Sequence, residues 1–190
     1  EDALAQAEIH LTAPIPKSLL RFLNRWNGAI LFRGVLQIRA VSELAPASEQ
    51  APQVTVFADG PTEADRWAYA PGKGGNVVFG RWDGERFSPL HERFDRWLAA
   101  TIQILDDNTR DPAQQLDTRL DLDRDCGFLL LAKAEQLLAQ GDPDTARDLL
   151  RRATANDPGL VRAWERLGDC LMGDNRDQAR FAYLKALRAI

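Results

Sequence analysis

Histidine and cysteine are the scarcest chemistry-bearing side chains here, with two of each in 190 residues. His10 stands beside Ile9 and Leu11, and His91 stands near Glu92 and Asp95. A general base or a metal ligand needs partners at helical or turn spacing, as in HExxH or CxxC, and neither pattern occurs. Cys126 and Cys170 are 44 residues apart in helix-like sequence, without a second Cys or His at ligand spacing. They read as small, buried apolar residues of a reducing compartment.

The run Asp121-Leu122-Asp123-Arg124-Asp125-Cys126-Gly127 opens like a D-x-D-x-D calcium loop. Its glycine falls one position late, and Ala132 stands where a bidentate Glu would be. An acidic lead-in to a helix is the reading, since negative charge suits a helix N-terminus. Pro71-Gly72-Lys73-Gly74-Gly75 lacks Walker spacing and a following helix, so it reads as a hairpin connection. There is no G-x-S-x-G. No catalytic residue, metal or cofactor is therefore expected, and the chain reads as a non-enzyme.

Charged and aromatic residues around two turns offer a different use. Asp59, Glu63, Asp65, Arg66, Trp67, Trp82, Asp83, Glu85 and Arg86 flank the turns at Asp59-Gly60-Pro61 and Trp82-Asp83-Gly84. Either both tryptophans pack in the core, or Trp82 anchors a charged rim of the kind protein interfaces use.

The elements that would carry these residues follow from periodicity. An Ala-rich run from Asp2 to Leu11 suits a short helix, broken at Pro14 and Pro16. Leu19, Phe22, Leu23 and Trp26 then fall on one helical face, and Asn27-Gly28 is a stop signal with Gly28 in the left-handed conformation. Strand-like runs follow at 29–32, 35–38, 54–57, 67–70, 77–79 and 85–87. One sheet face is expected to bury Phe32, Leu36, Val56, Tyr69 and Phe79, or their neighbours, under the helices. Ser88-Pro89 reads as a helix start before the stripe Leu90, Phe94, Trp97, Leu98, Ile102 and Leu105. Strands grouped between helices indicate an α+β fold, an antiparallel sheet packed with helices.

Ile15-Pro16, the apolar helix to Phe22-Leu23, Trp26-Asn27-Gly28, the run Val54–Gly60 and the helix bearing Phe94 and Trp97-Leu98 resemble SUKH-superfamily domains over residues 1–105. That resemblance implies an immunity-type protein that binds and blocks a partner toxin domain of a bacterial polymorphic-toxin system.

Residues 106–125 carry seven Asp and three Arg, a surplus equal to the net charge of −4. With Pro112 and little apolar periodicity, this stretch reads as an acidic linker. Residues 126–190 then repeat. Leu130, Ala134 and Leu137 recur 34 residues later as Trp164, Gly168 and Leu171. Past the turn, Ala146, Leu150 and Ala153 recur 33 residues later as Ala179, Tyr183 and Ala186. Small residues let helices approach and large ones fill the space between, which defines helix–turn–helix units. Trp164, Leu167, Gly168, Ala179, Tyr183, Ala186 and Pro158 resemble the tetratricopeptide repeat (TPR) pattern, with a departure at Lys133, where an apolar residue is usual. The second segment is thus expected to be an all-α, TPR-like pair of helical hairpins, its first helix after the joint beginning at Pro158.

Two repeats leave apolar faces to cover, by the first segment, another chain or residues beyond Ile190, and at least one repeat helix is expected to dock on the first segment or on a second copy. The acidic balance argues against nucleic acid, which requires a basic stripe. No apolar run reaches membrane-spanning length. The expectations are a cytoplasmic protein that binds another protein, through residues 1–105 as a toxin blocker or through the repeats as an adaptor, with a homo-oligomer through the repeats as a further outcome.

Overall fold

The computed structural model describes residues 11–60, 62, 65–72, 75–108 and 111–190. The expected helix at 2–11, apart from its last residue, lies outside them, as do His10, Glu63, Lys73 and Gly74. The chain divides into two compact units, Glu1–Asp106 and Asp107–Ile190.

In the first unit, helix α1 (Lys17–Trp26) follows Pro16, which sits at the N-cap in extended conformation. Leu19 and Leu23 are buried, whereas Trp26 at the last turn is 58% exposed. The helix is closed by Asn27 in the left-handed region (φ 43°), with Gly28 also at positive φ (101°). Asn27 supplies its own support, because its Oδ1 accepts the Val41 N–H at 3.1 Å. A Cβ on Gly28 would lie 3.1 Å from the Ala40 nitrogen, so close backbone approach demands glycine there.

Seven strands make one antiparallel sheet: β1 (Ala29–Leu31), β2 (Leu36–Ile38), β3 (Ala45–Pro46), β4 (Thr55–Asp59), β5 (Arg66–Pro71), β6 (Val77–Trp82) and β7 (Phe87–His91). Their order is β1-β2-β4-β5-β6-β7, and β3 shares with β2 the same flank of β4. Helix α2 (Phe94–Asp106) follows. Ser88-Pro89 is therefore strand, not helix start. Proline is tolerated on β7 because that strand ends the sheet order. The β6–β7 register shifts between Phe79 and Gly80, and a Cβ on Gly80 would lie 2.1 Å from the Ser88 carbonyl oxygen. Only the missing side chain lets β7 come this close.

The sheet is buried on both faces. On one, Leu36, Ile38, Phe57, Tyr69 and Phe79 pack with Leu19 and Leu23 of α1 and Phe94 and Trp97 of α2. The Phe57 and Trp97 rings meet edge to face at 4.7 Å. On the other, Val54, Val56, Ala68, Ala70 and Trp82 form a smaller cluster with Ala47, Ala51 and Phe87. Val56 thus faces away from the helices while its neighbour Phe57 takes the helix side, and Phe32 is only half-buried. The β4–β5 register shift between Val56 and Ala58 puts both Phe57 and Ala58 in the helix-side core, breaking strict alternation.

The second unit is helical: α3 (Pro112–Leu122), α4 (Gly127–Gln140), α5 (Pro143–Asn156), α6 (Val161–Leu171) and α7 (Arg176–Arg188). The expected acidic linker thus contains a helix. Asp111 caps it by accepting the Ala113 N–H at 3.1 Å, and Pro112 opens it. Its apolar stripe is narrow, with Leu116 and Leu120 half-buried and Arg119 buried, which is why periodicity was weak. Leu120 joins a core of Leu130, Leu131, Ala134, Leu150, Ala153, Leu167, Leu171, Ala179 and Ala182.

The helices α4–α5 and α6–α7 form the two hairpins of the repeat. Asp142 and Asn175 cap α5 and α7, accepting the Thr145 and Gln178 N–H groups at 3.1 and 3.0 Å. Helix α6 starts at Val161 rather than Pro158. The Pro158 carbonyl instead accepts the Trp164 indole N–H at 3.0 Å. Lys133, the odd residue of the repeat pattern, pairs with Asp117 of α3 at 2.5 Å. The helix ahead of the first repeat explains the polar substitution.

Candidate protein-interaction surfaces

The turns expected to form a charged rim do lie at one end of the sheet, after β4 and after β6. Asp59 and Arg66 are register partners, as are Arg66 and Trp82. Most of the charges there are tied down. Arg39 donates to both carboxylate oxygens of Asp59, at 2.7 and 2.8 Å. Asp65 accepts from Thr62 Oγ1 at 2.7 Å and pairs with Arg81. Asp83 accepts the Glu85 and Arg86 N–H groups at 3.0 and 2.8 Å. Those backbone donors, Arg86 first, hold the Asp83 carboxyl below its ordinary value and close the turn. Trp82 is no rim anchor: at 3% exposure it belongs to the smaller sheet core. Trp67 is half-buried against Trp97, ring centroids 5.5 Å apart. Glu85 and Arg86 remain exposed, and Glu63 lies outside the described residues.

The exposed aromatic of this unit is Trp26. It lines a groove of about 690 Å³ between α1 and α2, with Phe22, Phe94, Leu98, Ile102, Arg21 and Arg93. Phe22 packs on Trp26 at 5.0 Å, and the Arg25 guanidinium sits over the Trp26 ring at 5.0 Å. Arg93 grips Asp95 at 2.6 and 3.0 Å, which keeps that carboxyl ionised below its usual range. Sequence reasoning assigned Trp26 to the buried face because it continues the Leu19–Leu23 spacing. Arg21 and Arg25 around it were the available signal of a wet helix end.

In the repeat unit, polar bonds lock the hairpins together. Glu135 Oε1 of α4 accepts from Arg162 Nε at 2.8 Å and Arg166 Nε at 3.1 Å of α6. That bond raises the Arg166 pKa. Tyr183 Oη donates to Asp169 at 2.8 Å, which raises the tyrosine's pKa. Burial pushes the half-buried Cys170 thiol up, away from the thiolate form that a nucleophile needs.

Next to this network, α5, α6 and α7 line a groove of about 420 Å³ with Trp164, Leu167, Leu171, Phe181 and Ala182 on its walls. Helix α7 goes on to expose Phe181 (56%), Leu184 (43%) and Leu187 (66%). These three residues, spaced i, i+3, i+6, were legible as a stripe but were not singled out.

Among the described residues, no group of three or more His, Cys, Asp or Glu could hold a metal ion. His91 is the last residue of β7, three residues before α2 begins, and is fully buried opposite Phe79. Asp121 and Asp123 end α3, while Asp125 uses its carbonyl to accept from Asn156 Nδ2 at 2.9 Å. None of the described helices is long and apolar enough to cross a membrane.

Comparison with known proteins bears on the second unit. Residues 128–170 match the tetratricopeptide repeat family. Among solved structures, two crystal structures of MamA are similar to this chain, each at 19% identity and over 50% of it, with TM-scores of 0.39 and 0.38. The alignments span 56% and 52% of those chains, about half their length. No curated protein matches. The family match supports the TPR resemblance of the repeats, and no comparison supports the SUKH resemblance of residues 1–105.

Proposed function

We propose that this chain is a non-catalytic adaptor that binds another protein, with the helical repeats carrying recognition. The observation behind this reading is the apolar stripe Phe181, Leu184 and Leu187, left open beside the groove on a unit built from TPR-type hairpins. Apolar side chains at helical spacing on one exposed face are what a partner buries. Work within a reducing cytoplasm suits Cys126 and Cys170, which are not joined in a disulfide.

The test is affinity capture from the native host with the full chain and two charge-insertion variants. Partners retained by Trp26→Glu but lost by Leu187→Glu support recognition through the repeats. Partners lost only by Trp26→Glu assign recognition to the first unit instead. That second outcome would favour the toxin-blocking reading, for which the α1–α2 groove offers a surface. Capture of no protein by any form would sink both.

A further inference from the structure

The groove between α1 and α2 carries a charge that its unit as a whole does not. Residues 17–26 and 93–106 hold five of the eleven basic residues of segment 1–106 and two of its thirteen acids, Asp95 and Asp106. Asp95 is already gripped by Arg93, and Asp106 is the last residue of α2. On α1, Lys17, Arg21 and Arg25 follow one another at i, i+4 and i+8. All three are exposed, and none makes an ion pair among the described residues. One position further on, Ser18, Phe22 and Trp26 run parallel to this basic row and line the groove.

The row is unfavourable to the helix that bears it. Like charges four residues apart repel. Lys17 also stands in the first turn, at the positive end of the helix dipole, where no acid balances it. Trp26 has no place in the core either: at 58% exposure its ring is fixed by Phe22 and Arg25 rather than by burial. A fixed, exposed indole at the rim of an apolar trough, beside unpaired cations, has the make-up of a recognition anchor.

Charge selects the occupant. Carboxylates would offset both the repulsion along α1 and the dipole cost, so a negative segment is drawn in. A second copy would set one basic row against another. Nucleic acid fits less well, because the α2 wall is aliphatic at Leu98 and Ile102 and Arg25 already sits over the Trp26 ring, where a base would stack. Spacing narrows the segment further. Successive turns of α1 set its cations about 6 Å apart, and alternate residues of an extended chain recur about every 7 Å. We infer that this groove binds an extended acidic segment of a partner protein, with acids at alternate positions facing Lys17, Arg21 and Arg25. The apolar side chains between them turn toward Leu98, Ile102 and the Trp26 ring.

A fluorescein-labelled peptide, Gly-Asp-Leu-Asp-Phe-Asp-Gly, is titrated with the full-length protein at low salt and followed by anisotropy. Saturable binding is expected, weakened about tenfold by Trp26→Ala and about tenfold or more by Lys17→Glu with Arg21→Glu. A Lys-for-Asp peptide should bind that double variant and not the parent, and rising salt should weaken both pairings. Lys17→Glu places an acid in the first turn of α1, so the double variant should melt no lower than the parent, which separates lost binding from lost structure. Lack of saturable binding at millimolar protein overturns the proposal, as does equal binding of an Asn-for-Asp peptide or binding indifferent to the variants. Displacement of the peptide by an oligothymidylate overturns it in favour of nucleic acid. Dimerisation of the full chain that Trp26→Ala abolishes overturns it in favour of a second copy, and binding seen only after residues 1–10 are deleted overturns it in favour of the chain's own start. The groove belongs to the first unit, so a failed peptide leaves the adaptor reading of the repeats standing, and a failed Leu187→Glu test leaves the groove standing.

Discussion

The Tyr183 ring lies against the bare backbone of Gly168, so close that a Cβ there would meet its Cε1 at 2.6 Å. The first repeat solves the same contact with Ala134 and Leu150. Gly168→Ala should therefore destabilise the repeat unit by about 1–2 kcal/mol, overpacking outweighing the gain of about 1 kcal/mol in helix propensity. Gly168→Ala with Tyr183→Leu recreates the first repeat's pair and should recover most of that loss. Urea unfolding of the single and double variants checks the coupling, and additive effects would refute it.

Gly80 faces a harder obstacle, since its neighbour is the Ser88 carbonyl rather than a side chain. Gly80→Ala should cost about 3 kcal/mol or more, because β7 must move as a whole. Thermal melting should show a clear drop. A variant melting like the parent would mean that β7 does not pack at this distance.

Asp142 gives a pH dependence with a definite sign. Hydrogen bonds from Thr145, side chain first, hold its carboxyl below the ordinary 3.8. At neutral pH it is ionised in both folded and unfolded chains, so the cap's contribution is fully present. On acidification the unfolded chain takes up its proton first, and stability falls as pH drops through and below about 4. Asp142→Asn keeps an acceptor without the titration, so its melting temperature should fall less between pH 6 and pH 3. Equal falls would remove Asp142 from the account.

Trp26 is exposed, so Trp26→Ala should change stability by less than about 1 kcal/mol, reflecting the lost Phe22 and Arg25 contacts. Trp97→Ala, by contrast, empties a fully buried site ringed by Phe57, Phe94 and Trp67 and should cost about 3–5 kcal/mol. Denaturant midpoints of the two variants separate a surface tryptophan from a core one.

The repeats were the most legible part of this chain, because each hairpin repeats one decision about size: small where helices touch, large where they part. Helix α1 was legible too, through Leu19 and Leu23. What misled were residues whose local and tertiary meanings differ. Ser88-Pro89 has helix-start chemistry, yet the gap over Gly80 draws it into the sheet. Trp82 follows strand alternation into the lesser core, although its neighbours Asp83 and Arg86 suggested a rim. Helix α3 was hidden because its inward face holds Arg119 and only two leucines, Leu116 and Leu120. Of the interaction surface, the stripe on α7 was readable as spacing. Its openness needed the fold, which leaves Phe181, Leu184 and Leu187 all exposed.

Pro89 carries a consequence of its own. It sits on the outermost strand of the β-meander, where a free row of amide donors would invite any passing chain to add itself to the sheet. Lacking an N–H, proline breaks that row. The residue thus works as a guard against uncontrolled sticking, leaving association to surfaces with shape and charge to choose their company.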